Sequence, residues 1–203
     1  DGMIQTEGIF VGGSAISAPI IGEDFQWSGG DGTYQVLDDG GGNWRIKFLS
    51  SGTFTPLKNM VIDVFLVGGG GGAGSSYCGE GGAGYTTTVR SVVLTANTAY
   101  SIMVGAAGTN GNPSSAGGET TAFTASAAGG KNTSNGTSSS KRPGGAGGSG
   151  GAGYVSPVAT TTGGTDGGDG TSSATTGGKG QGTTTREFGE ADGTLSASGG
   201  GSN

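Results

Sequence analysis

Residues 105–203 hold only three large aliphatic side chains, Val155, Val158 and Leu195, and three aromatic ones, Phe123, Tyr154 and Phe188. Ordering a backbone costs about 1–2 kcal/mol per residue, and a chain normally offsets this by burying apolar surface. With so few large side chains, that route is closed to this half. Either it stays an unfolded tether, or its main chains pack directly against one another. Glycine permits the second outcome because no Cβ keeps two backbones apart, and glycine supplies 51 of the 203 residues.

The clearest glycine run is Gly144 to Gly153 (GGAGGSGGAG), where Ala146, Ser149 and Ala152 fall at every third position. Three residues per turn is the repeat of polyproline II, a conformation without internal hydrogen bonds, so its N–H and C=O groups must pair with neighbouring segments. Gly68–Gly72, Gly163 to Gly170, Gly177 to Gly182 and Gly199–Gly201 are imperfect runs of the same kind. The pentapeptide Gly81-Gly82-Ala83-Gly84-Tyr85 recurs as Gly150-Gly151-Ala152-Gly153-Tyr154, each followed by threonines (86–88 and 160–162). A chain running back and forth through a bundle would carry such an echo. A Gly/Ser composition by itself reads as a flexible linker. Here single aromatics and threonine runs interrupt the glycines instead of repeated Gly-Ser, and residues 68–74 lie between two strong strand signals. An ordered bundle is therefore the expectation. Proline, at 5 residues, and the lack of a continuous Gly-X-Y period exclude a collagen helix.

The first third reads as β structure. Trp44-Arg45-Ile46-Lys47-Phe48 alternates apolar and charged residues, the period of a half-buried strand. Phe25 to Trp27, Thr33 to Leu37 and Thr53 to Thr55 are further strands, and the turn-rich Asp38 to Asn43 closes one of them. Met60 to Val67 (MVIDVFLV) is nearly all apolar, as a central strand should be. Tyr85 to Leu94 and Ala99 to Val104 are two more strands, whose short link Thr95-Ala96-Asn97-Thr98 predicts a β-hairpin. No segment has a helical period, and the glycine density opposes helices. The expected fold is all-β: a small β-sandwich or sheet part at 1–67, then a glycine-rich polyglycine-II (polyproline-II-like) bundle at 68–203 with a β-hairpin inserted at 85–104.

Composition narrows the chemistry. There is no histidine, so a Ser-His nucleophile pair is impossible. The single cysteine, Cys78, rules out an internal disulfide and a cysteine zinc site, and is expected in a loop at one end of the bundle. The G-x-G-x-x-G matches open no helix of a βαβ unit, and GGKGQGTTT at 177–185 lacks the lysine-then-hydroxyl order of a phosphate loop. Asp166 and Asp169 in GGTDGGDG, like Asp38-Asp39, are too few for calcium's 6–8 oxygen ligands and read as solvated turns. Net charge is −6, with scattered lysines and arginines, which gives no nucleic-acid face. No apolar run approaches the roughly 20 residues that cross a bilayer, so no membrane insertion is expected. Asp1-Gly2-Met3 lacks the start of a signal peptide and is expected to be the cut end of a longer protein. No enzyme, cofactor or metal is expected.

The stretches TYQVLDDGGGNWRIKFLSSGTFTP (33–56), NMVIDVFLVGGGGGAG (59–74), GGAGYTTTVRSVVLTANTAYSIMVGAAG (81–108) and GQGTTTREFGEADGTLSASGGG (180–201) resemble glycine-rich tail proteins of phages and prophages from Gram-positive gut bacteria. NWRIKFL, VFLVGGGGGAG and GQGTTTREFGE are the more specific parts. By architectural analogy, the T-even type of tail-fibre adhesin has a tip in which polyglycine-II strands pack as a sandwich and the loops at one end bind the host. The resemblance implies a tail-fibre or tail-tip module, extracellular and on the virion. Its partner would be a bacterial surface receptor, either polysaccharide or surface protein. It also implies self-association, with a trimer favoured as in other tail fibres.

On a stiff scaffold, binding residues gather in loops. The polar loops at 109–116 and 131–143 make Asn110, Asn112, Lys131, Asn132, Lys141 and Arg142 the candidate receptor contacts. Tyr77 joins them because an aromatic face supplies apolar area at low entropic cost. Tyr85 and Tyr154, which close the echoed motif, are expected to cap the bundle. A subunit of an extracellular filament is an alternative, tested by polymers in electron micrographs. A glycine-rich ice-binding protein is another; it would show thermal hysteresis, but the threonine runs at 86–88, 160–162 and 183–185 are too irregular for a flat ice face.

Overall fold

The computed structural model describes residues 10–14, 20–40, 42–136, 142–154, 161–172 and 177–200. Twelve strands are assigned among them: β1 (Phe10–Ser14), β2 (Phe25–Trp27), β3 (Tyr34–Gly40), β4 (Asn43–Phe48), β5 (Gly52–Pro56), β6 (Met60–Val67), β7 (Thr86–Leu94), β8 (Tyr100–Met103), β9 (Thr120–Ala122), β10 (Ala125–Ala127), β11 (Thr161–Thr162) and β12 (Thr171–Ser172). One 3₁₀ turn, Glu187–Gly189, is the only helical element among the described residues. The chain is all-β.

Two five-stranded sheets, ordered β3-β4-β1-β6-β7 and β10-β9-β8-β5-β2, face each other across one apolar layer. The alternation in β4 puts Trp44, Ile46 and Phe48 into that layer. Ile62, Val64 and Leu66 of β6 lie beside them, opposite Phe25, Phe54 and Ile102 of the second sheet. Phe54 anchors the ring cluster, stacked on Phe25 at 5.4 Å and edge-on to Phe48 at 5.8 Å and Phe123 at 5.9 Å. β6 sits between β1 and β7 and is buried on both faces over its last four residues. Phe65 and Val67 point outward into a second cluster, closed by Phe188. The apolar run therefore has the central position that its sequence predicts.

The sandwich takes strands from both sides of residue 67, and the strands at 86–94 and 100–103 do not pair with each other. β7 pairs with β6 in one sheet, β8 with β5 and β9 in the other. The link 95–98 carries the chain between sheets: Asn97 has φ +58°, and its N–H reaches the carbonyl of Pro56 at 2.7 Å. Leu94 and Ile102 then enter the shared core from opposite sheets, an apolar gain that a local hairpin would forgo. The second sheet ends in a hairpin, β9–β10, turned by Phe123 and Thr124, both at positive φ. Phe123 is buried against Phe54 and Tyr100, which holds the turn where glycine or asparagine is usual.

The glycine runs extend the strands. β6 passes into residues 68–74, and 79–85 return into β7; β8 passes into 105–109, and 115–119 return into β9; β10 passes into 128–133. Outside the sheets these segments are joined by main-chain hydrogen bonds that recur every third residue. Gly68 and Gly71 donate to Tyr85 and Gly82; Gly69 and Gly72 to Gly118 and Ser115; Gly130 and Thr133 to Gly69 and Gly72. The echoed pentapeptides are neighbours, Glu80 and Ala83 donating to Ala152 and Ser149. The spacing leaves no room for a side chain: a Cβ at Gly84 would stand 1.7 Å from the Gly68 carbonyl oxygen, and one at Gly150 1.7 Å from that of Gly178.

Candidate functional site

Because residues 68–85 and 105–119 each leave a strand and come back, and 128–133 runs outward beside them, the loops at their turns gather at the end remote from the sandwich. Side-chain amides tie these loops together. Asn110 Oδ1 accepts from the Ala73 N–H at 2.8 Å, and Asn135 Oδ1 from the Ser75 N–H at 2.7 Å. Asn132 Nδ2 donates to the carbonyl and the hydroxyl of Ser114, both at 3.0 Å, and the Ser114 hydroxyl donates to the Thr133 carbonyl. Thr133 is buried; its hydroxyl donates to the Gly79 carbonyl at 2.5 Å and accepts from the Gly74 N–H at 3.3 Å. The loops 73–79, 109–116 and 131–136 are thus one surface.

The expected contact residues divide by what their side chains already do. Asn110 and Asn132 hold loops. Asn112 is exposed and makes no side-chain hydrogen bond among the described residues, and Lys131 is exposed with no ion pair among them. Tyr77, 45% exposed with φ +49°, lies edge-on to Tyr154 at 5.8 Å between ring centroids. Tyr154 exchanges two main-chain hydrogen bonds with Arg142 (3.2 and 2.8 Å), which brings Arg142 to the same rim. Lys141 and the part of its loop at 137–141 lie outside the described residues. Cys78 donates its thiol proton to the Gly74 carbonyl at 3.0 Å; burial, with the nearby Glu80 charge, pushes the thiol pKa up and keeps it protonated at neutral pH.

A second concavity, of about 550 Å³, lies on the outer face of the first sheet. Arg45 reaches Asp39 at 2.7 Å and Glu187 at 2.5 Å; Arg90 reaches Asp63 at 2.6 Å, the Phe188 carbonyl at 2.6 Å and Glu190 at 3.6 Å. The Arg90 guanidinium also lies 5.5 Å from the centre of the Phe188 ring. Burial acts to raise the Asp63 pKa, but hydrogen bonds from Arg90 and the Ser91 N–H, with the Arg90 charge, outweigh it and hold the carboxyl below its ordinary range. The charges here fasten residues 186–190 to the sheet. Gln181 extends the fastening, accepting from the Thr86 N–H at 3.0 Å and donating to the Thr86 hydroxyl at 2.9 Å. Sequence reasoning gave none of these partners, since Arg45 and Glu187 are 142 residues apart.

The aspartates of GGTDGGDG brace the segment 180–185. Asp166 Oδ1 accepts from the Thr184 hydroxyl at 2.6 Å and the Thr185 N–H at 3.2 Å, bonds which, with the Arg186 charge, lower its pKa. Asp169 Oδ1 accepts from the Gly180 N–H at 2.8 Å. Among the described residues, no group of three or more His, Cys, Asp or Glu side chains could hold a metal ion. A family model described as a glycine-rich domain matches residues 49–203. No curated protein and no solved structure matches the chain.

Proposed function

The chain belongs to the glycine-rich domain family, and from that premise we propose that it is a non-enzymatic structural and receptor-binding module of a phage-type tail fibre or tail tip. The module acts outside the cell, where it presents its remote loops to a polysaccharide or protein on a bacterial surface. The glycine segments are the shaft of this device, a polyglycine-II bundle. Its support is the three-residue recurrence of hydrogen bonds between segments, which matches the repeat of that conformation and not the two-residue repeat of a strand. At about 3.1 Å per residue, residues 68–74 would reach roughly 20 Å beyond the sandwich.

The observation that carries the binding reading is the loop surface itself. Its asparagines 110, 132 and 135 are spent on holding loops, while Tyr77, Asn112 and Lys131 are left facing out. A surface fixed beforehand loses little entropy on binding. The test is sedimentation of labelled full-length protein with intact Gram-positive cells. Binding should weaken about tenfold or more in Tyr77→Ala combined with Asn112→Ala, the size of a hot-spot loss. Lys47→Ala, on the sandwich, should bind like the parent. Equal binding by the parent and the loop variant, or no binding to any cell in a broad panel, would contradict the reading.

A further inference from the structure

We propose that Asn110-Gly111 is a latched self-modification site, at which an opening of the remote loops is converted into a permanent isoaspartyl linkage. The site belongs to the loop surface itself and does not depend on what that surface binds.

The chain has two Asn-Gly pairs, 110–111 and 135–136, and both grip the loop that begins at Ala73. Asn110 Oδ1 accepts from the Ala73 N–H at 2.8 Å, while the next N–H, that of Gly111, donates to the Ala73 carbonyl at 2.9 Å. Asn135 and Gly136 hold the neighbouring residues in the same manner, accepting from the Ser75 N–H at 2.7 Å and donating to the Ser76 carbonyl at 3.1 Å. Each pair is a two-pronged clamp, with one prong on a side chain and the other on the following main-chain nitrogen. Gly111 has φ +129°, where a residue with a Cβ is strained, so the second prong calls for glycine. Glycine is also the residue that leaves its nitrogen unshielded beside the asparagine amide, a group open to chemical loss. The geometry that holds the loop thus brings the hazard with it.

The reaction open to this pair is an intramolecular acyl transfer. The Gly111 nitrogen bonds to Asn110 Cγ, the Cγ–Nδ2 bond breaks, and Nδ2 leaves as ammonia with the proton that the Gly111 nitrogen gives up. Water then opens the cyclic imide at either of its carbonyl carbons. Attack at Cγ gives aspartate; attack at the main-chain carbonyl gives isoaspartate, with the chain rerouted through Cβ and Cγ. Asn110 is exposed, so water is at hand. The clamp opposes the first step, because the Gly111 proton is donated to Ala73 and Oδ1 is held there too, and both bonds are given up on the way to the ring. The two products then differ. Aspartate keeps an acceptor oxygen and the Gly111 N–H on separate branches, so the clamp re-forms. In isoaspartate the former side-chain carbonyl and the Gly111 N–H belong to one trans peptide group and point opposite ways, so they do not both reach Ala73. The opening becomes irreversible, and loop 73–79, which carries Tyr77, loses one of its fastenings.

The full chain and a synthetic peptide of residues 107–115 are incubated side by side at mildly alkaline pH. Peptide-mapping mass spectrometry follows the conversion of Asn110 and separates its two products. Asn110 should convert about tenfold or more slowly in the folded chain than in the peptide, the scale set by the hydrogen bonds that must first open. Ala73→Pro removes the N–H that Oδ1 accepts and should bring the rate severalfold nearer to that of the peptide, with the Ile46 and Val64 amides still protected against exchange. In the isolated isoaspartyl form the Ala73 or the Gly111 amide should exchange fast, whereas Asn110→Asp should keep both slow. Equal rates in chain and peptide, no acceleration in a folded Ala73→Pro variant, or an isoaspartyl form with both amides still slow would each overturn the proposal. The comparison with the peptide and the exchange of the isoaspartyl form need no variant, and they decide the matter if Ala73→Pro does not fold.

Discussion

The sandwich and the glycine lattice fill space by opposite means. Around Phe54 the interior is made of side chains, with three rings within 6 Å and aliphatic groups from both sheets. Around Gly150 the interior is made of peptide groups: the Gly178 carbonyl stands where a methyl would be, and the Gly150 N–H and C=O pair with Gly168 and Gly164. One region is stabilised by the area that large residues remove from water, the other by saturating backbone donors and acceptors at close approach. Solidity thus has two sources in one chain, and opposite changes in side-chain size should harm them.

Truncation should do most harm in the sandwich. Phe54→Ala should cost about 3–5 kcal/mol, measured by denaturant unfolding; a loss below about 1 kcal/mol would mean that the ring cluster does not hold the sheets together. Enlargement should do most harm in the lattice. Gly150→Ala should cost about 1–3 kcal/mol or more, since its methyl meets backbone, which cannot rotate aside. Gly70→Ala gives the contrast within the lattice: its Cβ would find only the Gly82 oxygen, at 4.0 Å, so the change should be neutral or stabilise by about 0.4–1 kcal/mol by limiting the unfolded chain. If Gly150→Ala and Gly70→Ala behave alike, close packing of backbones is not what orders this region. The smallest effect is on the clasp between the two. The Asp63 carboxyl has a lowered folded pKa, so its stabilisation is present above the ordinary aspartate range and is lost as pH falls through the folded value. Acid titration should weaken unfolding stability less in Asp63→Asn than in the parent.

Local patterns in the sequence carried the local structure. The alternation of Trp44, Ile46 and Phe48, the unbroken apolar run at 60–67 and the echoed GGAGY each correspond to a described strand or segment, because periodicity reports which faces are covered. Pairings decided at long range were hidden. The link 95–98 is short enough for a hairpin, yet the chain gains more by sending Leu94 and Ile102 into a shared core from different sheets. The turn at Phe123-Thr124 lacks any usual turn residue, and only the burial of the ring explains it. At the remote surface, sequence identified the loops but could not separate Asn110 and Asn132, which hold them, from Asn112, whose side chain makes no hydrogen bond among the described residues. That distinction depends on which backbone N–H or hydroxyl a distant loop brings within reach.

Amide hydrogen exchange, read residue by residue at Gly69, Gly72, Gly82, Gly130 and Gly145 in the dilute full-length protein, tests most directly whether backbone pairing makes this region solid. These donors should exchange as slowly as the amides of Ile46 and Val64 in the sheets. Exchange at the rate of an unstructured glycine peptide, with β4 and β6 still protected, would mean that only the sandwich is folded.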